Sequence, residues 1–358
     1  VQTPLTHRLS LFGSAGLLGR ALMAAAAFAC ASGASAAPPT KIVLGYQALW
    51  ASGGDIFETL RHTNILQLYG FDAEFKTFTS GPPLGEAAVA GAVDNFYAAD
   101  APVLRAASRL PSSKVLARSH DSSYAIVAQP DFHGGITDLK GKTLSGLFGT
   151  TVFPRAIRQI TTAGIADPFR QIHIVNQDIP EAAAALQAKQ IDATVTWDPM
   201  EEKLRRLGYR SIYDSKPGEN FGWLGLTGNW LQKNGDDAAV RFLEAWITAA
   251  WWTSNHADEA RGWFAKTSGI DRSLLEVADR SDRYLRAPVP DIRQYDFRID
   301  DQTIAGSQSV VDFLVQQKLL PTRIDVKQYV ASSYIERAQQ AVRDGKTPDL
   351  AAIKVIAP

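Results

Sequence analysis

The chain has 358 residues, 46% of them hydrophobic, with 37 basic and 37 acidic side chains and a single cysteine. That length supports two domains with cores of their own. A balanced charge offers no global field to nucleic acid or an anionic bilayer, and one cysteine excludes a disulfide scaffold or a Cys-rich zinc module.

Residues 1–36 hold Arg8 and Arg20 and no acid, and the first carboxylate is Asp55. The uncharged, Ala-rich run from Ala21 to Ala31 is too short to span a bilayer but suits the apolar part of an export signal. Ala34-Ser35-Ala36 supplies the small residues a signal peptidase requires. The pattern predicts a signal peptide over 1–36 and a periplasmic mature chain. Its removal leaves 35 basic against 37 acidic residues, a formal charge of −2, and no cysteine. Ala27 stands where a lipidation site before Cys30 would carry Leu, so lipid anchoring is not expected.

Strands are predicted at 41–46, 71–78, 93–97 and 114–118, with an amphipathic helix over 55–68 and further helices at 84–90 and from Pro102. A second set places strands at 124–128, 143–147, 173–175 and 194–196 and helices at 153–162 and 181–189. From Asp236 onward the chain reads as mostly helical, including the apolar stretch 242–252. Such βαβα order implies largely parallel sheets covered by helices.

Two segments look like copies of one plan. The Ala-rich stretch from Glu86 leads to Asp94 and then to Asp100-Ala101-Pro102; the one from Glu181 leads to Asp192 and then to Asp198-Pro199. Each is a helix, a strand opened by Asp, and an Asp-bearing loop before a helix that starts at Pro. Loops at the carboxyl ends of parallel strands are where open α/β sheets bind ligands, so two such units would present matching loops to one cleft.

Asp138-Leu139-Lys140-Gly141-Lys142-Thr143, Trp197-Asp198-Pro199, the segment Asp100 to Ala106, and the late stretch from Asp325 to Tyr334 together resemble the substrate-binding proteins of bacterial nitrate/sulfonate/taurine-type ABC importers. The resemblance rests on the order and spacing of these motifs over nearly all of the mature chain. It implies a two-lobed type II periplasmic binding protein fold, α/β, each lobe a mainly parallel sheet flanked by helices. Lobe 1 would be discontinuous, 37–123 with 229–358, and lobe 2 would be 124–228, with 123–128 and 221–228 as hinge strands. The implied partners are a small-molecule ligand and the membrane permease and ATPase subunits, the protein being a monomer that binds no nucleic acid.

Enzyme signatures are missing. Gly141-Lys142-Thr143 imitates the end of a phosphate loop, but Ile136 occupies the place of its first glycine. Ser119-His120-Asp121 holds the residue types of a hydrolase triad, yet a triad is assembled from separated segments. No histidines stand at metal-ligand spacing, so neither a catalytic residue, a metal nor a cofactor is expected. Related scaffolds that are enzymes carry a Cys-rich motif or a nucleophilic cysteine, which the mature chain lacks. A solute-sensing subunit is the other alternative to an import receptor.

Candidate ligand-binding residues lie in the loops after the strands. Gln47 and Trp50 precede a helix predicted to begin near Asp55, Trp50 being either a stacking wall or packed core. Ser80 and Gly81 form either an oxyanion-binding turn or an ordinary one. In the resembled family the loop equivalent to Gly149-Thr150-Thr151 offers a hydroxyl to the ligand's anionic head; a simple helix cap is the other reading of Thr150 and Thr151. Arg155 would add a charge-assisted bond or lie exposed on its helix. Trp197 and Asp198 close the cleft from the same side. Asp100 and Asp198 either cap helices or receive an amino or hydroxyl group, since a carboxylate facing an anion repels it. Loop positions of this kind are expected to contribute little to the core.

Overall fold

The computed structural model describes residues 38–356 together with Val1, so the expected export signal, with Arg8, Arg20 and Cys30, falls outside the described residues. Strand β1 (Thr40–Gln47) leads into helix α1 (Ala51–His62), the short α2 (Ile65–Leu68), β2 (Phe71–Phe78), α3 (Gly81–Val89), β3 (Asn95–Ala98), α4 (Asp100–Ala107) and β4 (Lys114–Ser122). Pro occupies the first turn of α3, where its missing N–H has no helical partner to lose. Helix α1 begins before the expected Asp55, and the glycines that read as a loop are inside it. A Cβ on Gly53 would meet the Tyr97 hydroxyl at 1.6 Å and one on Gly54 the Phe264 ring at 2.3 Å. Close packing, not a turn, requires them. Helix α4 likewise starts at Asp100, ahead of the expected Pro102.

The next group is β5 (Tyr124–Ala128), β6 (Thr143–Gly146), α5 (Val152–Thr162), α6 (Pro168–Gln171), β7 (His173–Asn176), α7 (Ile179–Gln187), β8 (Ala193–Trp197), α8 (Met200–Arg206) and β9 (Arg210–Asp214). Helix α7 opens with a reciprocal cap between Asp178 and Glu181. Strand β10 (Asn220–Leu226) is followed by α9 (Gly228–Asn255), α10 (Ala257–Ser268), α11 (Arg272–Asp279), α12 (Asp301–Gln316) and α13 (Ser332–Arg343). Helix α9 is two helical pieces meeting at Gly235, whose φ of 80° and ψ of 172° break the helix. No helix among the described residues is long and apolar enough to cross a membrane.

One sheet has the order β7-β6-β8-β5-β9. Strands β6, β7 and β8 are parallel and β5 runs antiparallel to β8 and β9. The other strands form a two-stranded sheet, β1-β2, and a three-stranded one, β3-β10-β4. Strands β1 and β2 are parallel, and β10 lies antiparallel between β3 and β4. Strand β1 is joined to the start of β3 by side chains: Asp94 accepts from Val43 N at 2.7 Å, and the Asn95 amide brackets Gly45, accepting at 2.6 Å and donating at 2.9 Å. In the five-stranded sheet Asp192 accepts from Thr143 N at 2.8 Å in the same way. The backbone completes both pairs, Asp94 N donating to Val43 O at 2.8 Å and Asp192 N to Thr143 O at 2.9 Å. The two sequence segments that look alike therefore do equivalent work.

The expected hinge strands differ from the structure. Strand β5 is paired on both sides in one sheet and β10 on both sides in another, so neither is a free connector. Residues 220–226, assigned from sequence to the second lobe, pair with β3 and β4. The chain crosses between the sheets at Ser123 and at 215–219, flanked by the pairing of Ser122 with Asn220. Outside the ladders, the backbone of Ser123 is held by Asp198, its N–H donating to Oδ2 at 3.0 Å and its C=O accepting from the Asp198 N–H at 3.3 Å.

Candidate functional site

The carboxyl ends of β1, β3 and β8, the start of β10, and the starts of α3 and α5 converge on one slot. Its walls are Gln47, Trp50, Gly81, Ala98, Ala99 and Pro102 on one side, Thr150, Thr151, Val152 and Trp197 on the other, and Asn220 between them. The volume is only about 20 Å³, room for roughly one water. No lining residue carries a charge.

Each expected residue has a definite place. Gln47 is buried and donates from Nε2 to Tyr97 O at 3.1 Å. Trp50, 3% exposed, donates from Nε1 to Ser122 Oγ at 2.7 Å, and its ring lies 4.3 Å from that of His120. It is core with one edge on the slot, which corrects the expectation that such loop positions bury little. Ser80 is buried at the start of α3, makes no cap bond, and does not line the slot. Its neighbour Gly81 does; a Cβ there would meet the Ala98 methyl at 2.7 Å, so glycine permits the close approach of α3 to β3. Thr150 Oγ1 turns back to Leu147 O at 2.7 Å. Trp197 lines the slot, whereas Asp198 turns to the crossing, where its Oδ2 accepts from Ser123 N at 3.0 Å. Burial, followed by the charge of Glu201, raises the Asp198 carboxyl well above the usual carboxylate range.

Thr151 and Arg155 are engaged with Asp100. The Asp100 carboxylate, 0% exposed, accepts from Thr151 Oγ1 at 2.6 Å, from Arg155 Nη2 at 3.0 Å and from Ser307 Oγ at 2.7 Å. Arg155 also donates to Glu219 O. The donors expected for a ligand's anionic head thus hold a carboxylate of the protein itself. Sequence reasoning missed Ser307, which comes from the far end of the chain, and Asn220, whose amide donates to Ser122 Oγ at 3.0 Å. Neither has a local signal, because a lone Ser in a helix and a lone Asn opening a strand acquire their partners only through long-range packing.

Behind Trp50 lies a buried polar group. Burial dominates at His120 and lowers its pKa to about 3, so the ring is neutral, with Nδ1 3.0 Å from Ser119 Oγ. At Asp121 burial opposes ionisation, but Arg283 and Arg118 outweigh it and hold the carboxyl below its ordinary value. Burial and then the charge of Asp121 push Asp282 up to about 7, even though the backbone N–H of Asp121 donates to it at 2.7 Å. Among the described residues no three His, Cys, Asp or Glu side chains converge as metal ligands.

The raised Asp282 carboxyl makes a pH prediction. Its folded pKa lies above the unfolded value of about 4, so the fold holds a proton that the unfolded chain releases, and the associated stability is present below pH 4 and lost as pH rises through 7. Asp282→Asn removes this dependence. The stability difference between wild type and variant, from urea unfolding at each pH, should fall by an amount on the order of 4 kcal/mol between pH 4 and pH 8. A difference independent of pH would show that Asp282 titrates normally.

No family model matches the chain. A Bacillus subtilis (strain 168) protein, provisionally described as an aliphatic sulfonates-binding protein, is 23% identical over 281 residues, 77% of this chain and 81% of the relative. The structure of the alkanesulfonate-binding protein of Xanthomonas axonopodis pv. citri, bound to MOPS, superposes with a TM-score of 0.65 at 22% identity, covering 83% of this chain and 100% of that one. The periplasmic nitrate-binding protein of Synechocystis PCC 6803 gives a TM-score of 0.65 at 16% identity, covering 85% and 89%. The chain has the two-lobed periplasmic binding protein fold, and in sequence as in fold it is similar to the substrate-binding proteins of nitrate/sulfonate/taurine-type ABC importers.

Proposed function

We propose that the protein is the periplasmic solute receptor of an ABC importer, without catalysis of its own, which captures a small organic anion and delivers it to permease and ATPase subunits in the membrane. One observation carries the reading: loops of the sheets, including Gln47, Trp50, Gly81, Thr150, Thr151 and Trp197, meet in a single slot. In this reading one lobe is built on the two- and three-stranded sheets and the other on the five-stranded sheet, and they move about the crossings at Ser123 and 215–219. The slot is closed in this structure, with Asp100 from one lobe seated on Thr151 and Arg155 of the other. Opening separates the carboxylate from those donors, and a sulfonate or sulfate ester takes its place on the Thr151 hydroxyl and the Arg155 guanidinium. Trp50 and Trp197 favour an organic body over a bare inorganic anion.

Calorimetric titration with hexanesulfonate, benzenesulfonate and nitrate, paired with small-angle scattering, tests this. The sulfonates should bind without being consumed, nitrate should bind more weakly, and the radius of gyration should change on binding, because a slot closed on Asp100 has to open to admit the ligand. Failure of every sulfonate to bind, or a preference for nitrate, overturns the chemistry. An unchanged radius overturns the motion.

A further inference from the structure

A second and much larger cavity, about 560 Å³, opens beside the slot. Asn220 and Phe221 are consecutive on β10 and so point to opposite sides of the strand; the first lines the slot and the second this chamber. On α5, Thr151, Arg155 and Arg158 share one face at helical spacing, running from the slot into the chamber. Helix α12 packs against both α4 and α5 and forms the opposite wall. The volume lies in the range of sites for small organic molecules.

Four arginines line this chamber: Arg118, Arg155, Arg158 and Arg283. They are not equally available. Arg155 is paired with Asp100 at 3.0 Å. Arg118 is fully used, by Asp121 at 2.6 Å, Thr303 Oγ1 at 3.1 Å and Gly218 O at 3.3 Å. Arg283 binds the same Asp121 carboxylate through Nε at 2.8 Å and Nη2 at 3.1 Å, so two guanidiniums share one negative charge. Among the described residues Arg158 has no carboxylate within ion-pair distance; it donates from Nη1 to Ser309 Oγ at 2.8 Å. The two acids on the rim are turned to local donors. Glu219 accepts from Tyr213 Oη at 3.1 Å and Lys216 N at 3.0 Å, and Asp300 caps α12 by accepting from Thr303 N at 2.7 Å. Phe221 has the guanidiniums of Arg118 and Arg155 over its ring at 4.3 and 5.1 Å, which holds both in place.

We propose that this chamber is a second anion-binding site, separate from the slot, which takes a monoanionic organic solute, a sulfonate or carboxylate on an apolar body, with its charged group between Arg158 and Arg283. Guanidinium forks match both head groups. The rim acids disfavour polyanions, and the floor beside Val310 and Gly306 accepts the body.

Naphthalene-2-sulfonate is the probe, titrated calorimetrically at low ionic strength. Ala99→Leu fills the slot and leaves the chamber. Gly306→Trp fills the chamber from a position where a Cβ meets nothing within 4 Å; its unfolding transition is measured alongside. Arg158→Glu reverses the principal charge, and Arg272→Glu, at a residue that lines neither cavity, controls for net charge. The proposal expects one probe still bound by Ala99→Leu, with affinity reduced at least about 10-fold on adding Arg158→Glu or Gly306→Trp and unchanged on adding Arg272→Glu. The neutral naphthalene-2-sulfonamide should not bind. No binding to Ala99→Leu, or binding indifferent to Arg158→Glu, overturns it. The slot reading fails separately, if wild type binds one probe and Ala99→Leu has no effect.

Discussion

Replacing Asp100 by Ala should lower the free energy of unfolding by about 3–5 kcal/mol, the range for breaking a buried charge pair by removing one partner. The carboxylate has no exposed surface, and its loss strands the guanidinium of Arg155, whose side chain is 13% exposed, beside two hydroxyls that lose their acceptor. Arg155→Ala should cost somewhat less, because Thr151, Ser307 and the Ala101 N–H still satisfy Asp100. The double variant should be less destabilised than the two losses combined, since neither charge is then orphaned. Urea unfolding of the four proteins measures this, and strict additivity would mean that the pair does not interact. The milder Asp100→Asn separates stability from binding. With the carboxylate gone, Thr151 and Arg155 no longer have an internal competitor, so sulfonate affinity should rise about 10-fold or more, one charge-assisted hydrogen bond. Affinity unchanged or weakened would show that the ligand's anion does not use these donors.

Trp50→Ala should destabilise the fold by about 3–5 kcal/mol, as truncations of buried Trp do. Its indole packs between His120 and Tyr97, with ring centroids at 4.3 and 5.7 Å. The loss is therefore mainly a cavity in the first lobe, not a missing ligand wall. Trp50→Phe keeps most of the ring contact and removes the bond to Ser122 Oγ, where Asn220 still donates; the expected cost is about 1 kcal/mol. Thermal or urea unfolding ranks the two variants. If Trp50→Ala is as stable as wild type while sulfonate binding is abolished, Trp50 belongs to the ligand and not to the core.

Much of the architecture was legible because it is written locally. The apolar run of β1 forms where the pattern places it, and the helices expected at 84–90 and 181–189 exist but begin earlier, at Gly81 and Ile179, where a Pro in the first turn and the Asp178–Glu181 cap start them. The likeness of Glu86–Asp94 to Glu181–Asp192 was also readable, since each Asp opens a strand and binds the backbone of a neighbouring one, Val43 of β1 and Thr143 of β6. So was the convergence of the post-strand loops, which follows from strand direction alone.

Three matters were settled only in three dimensions. Gly53 and Gly54 read as loop from propensity, yet they lie in α1, where Tyr97 and Phe264 leave no space for a Cβ and so require glycine. Strands β5 and β10 look like connectors by position, but ladders on both sides make them the inner strands of their sheets, and the chain crosses between sheets at Ser123 and 215–219. Thr151, Arg155 and Asp100 were each identified as site residues; that they would bind one another, with Ser307 joining from a helix more than two hundred residues away, depends on how α12 packs across α4 and α5. The sequence by itself determined most of the strands, the longer helices and the loops that meet; Arg210–Asp214, Pro168–Gln171 and Met200–Arg206 have no such local signal. Tertiary structure decided which charges are already paired there, because a buried carboxylate takes whichever donors packing brings within reach, and chain distance sets no limit on that.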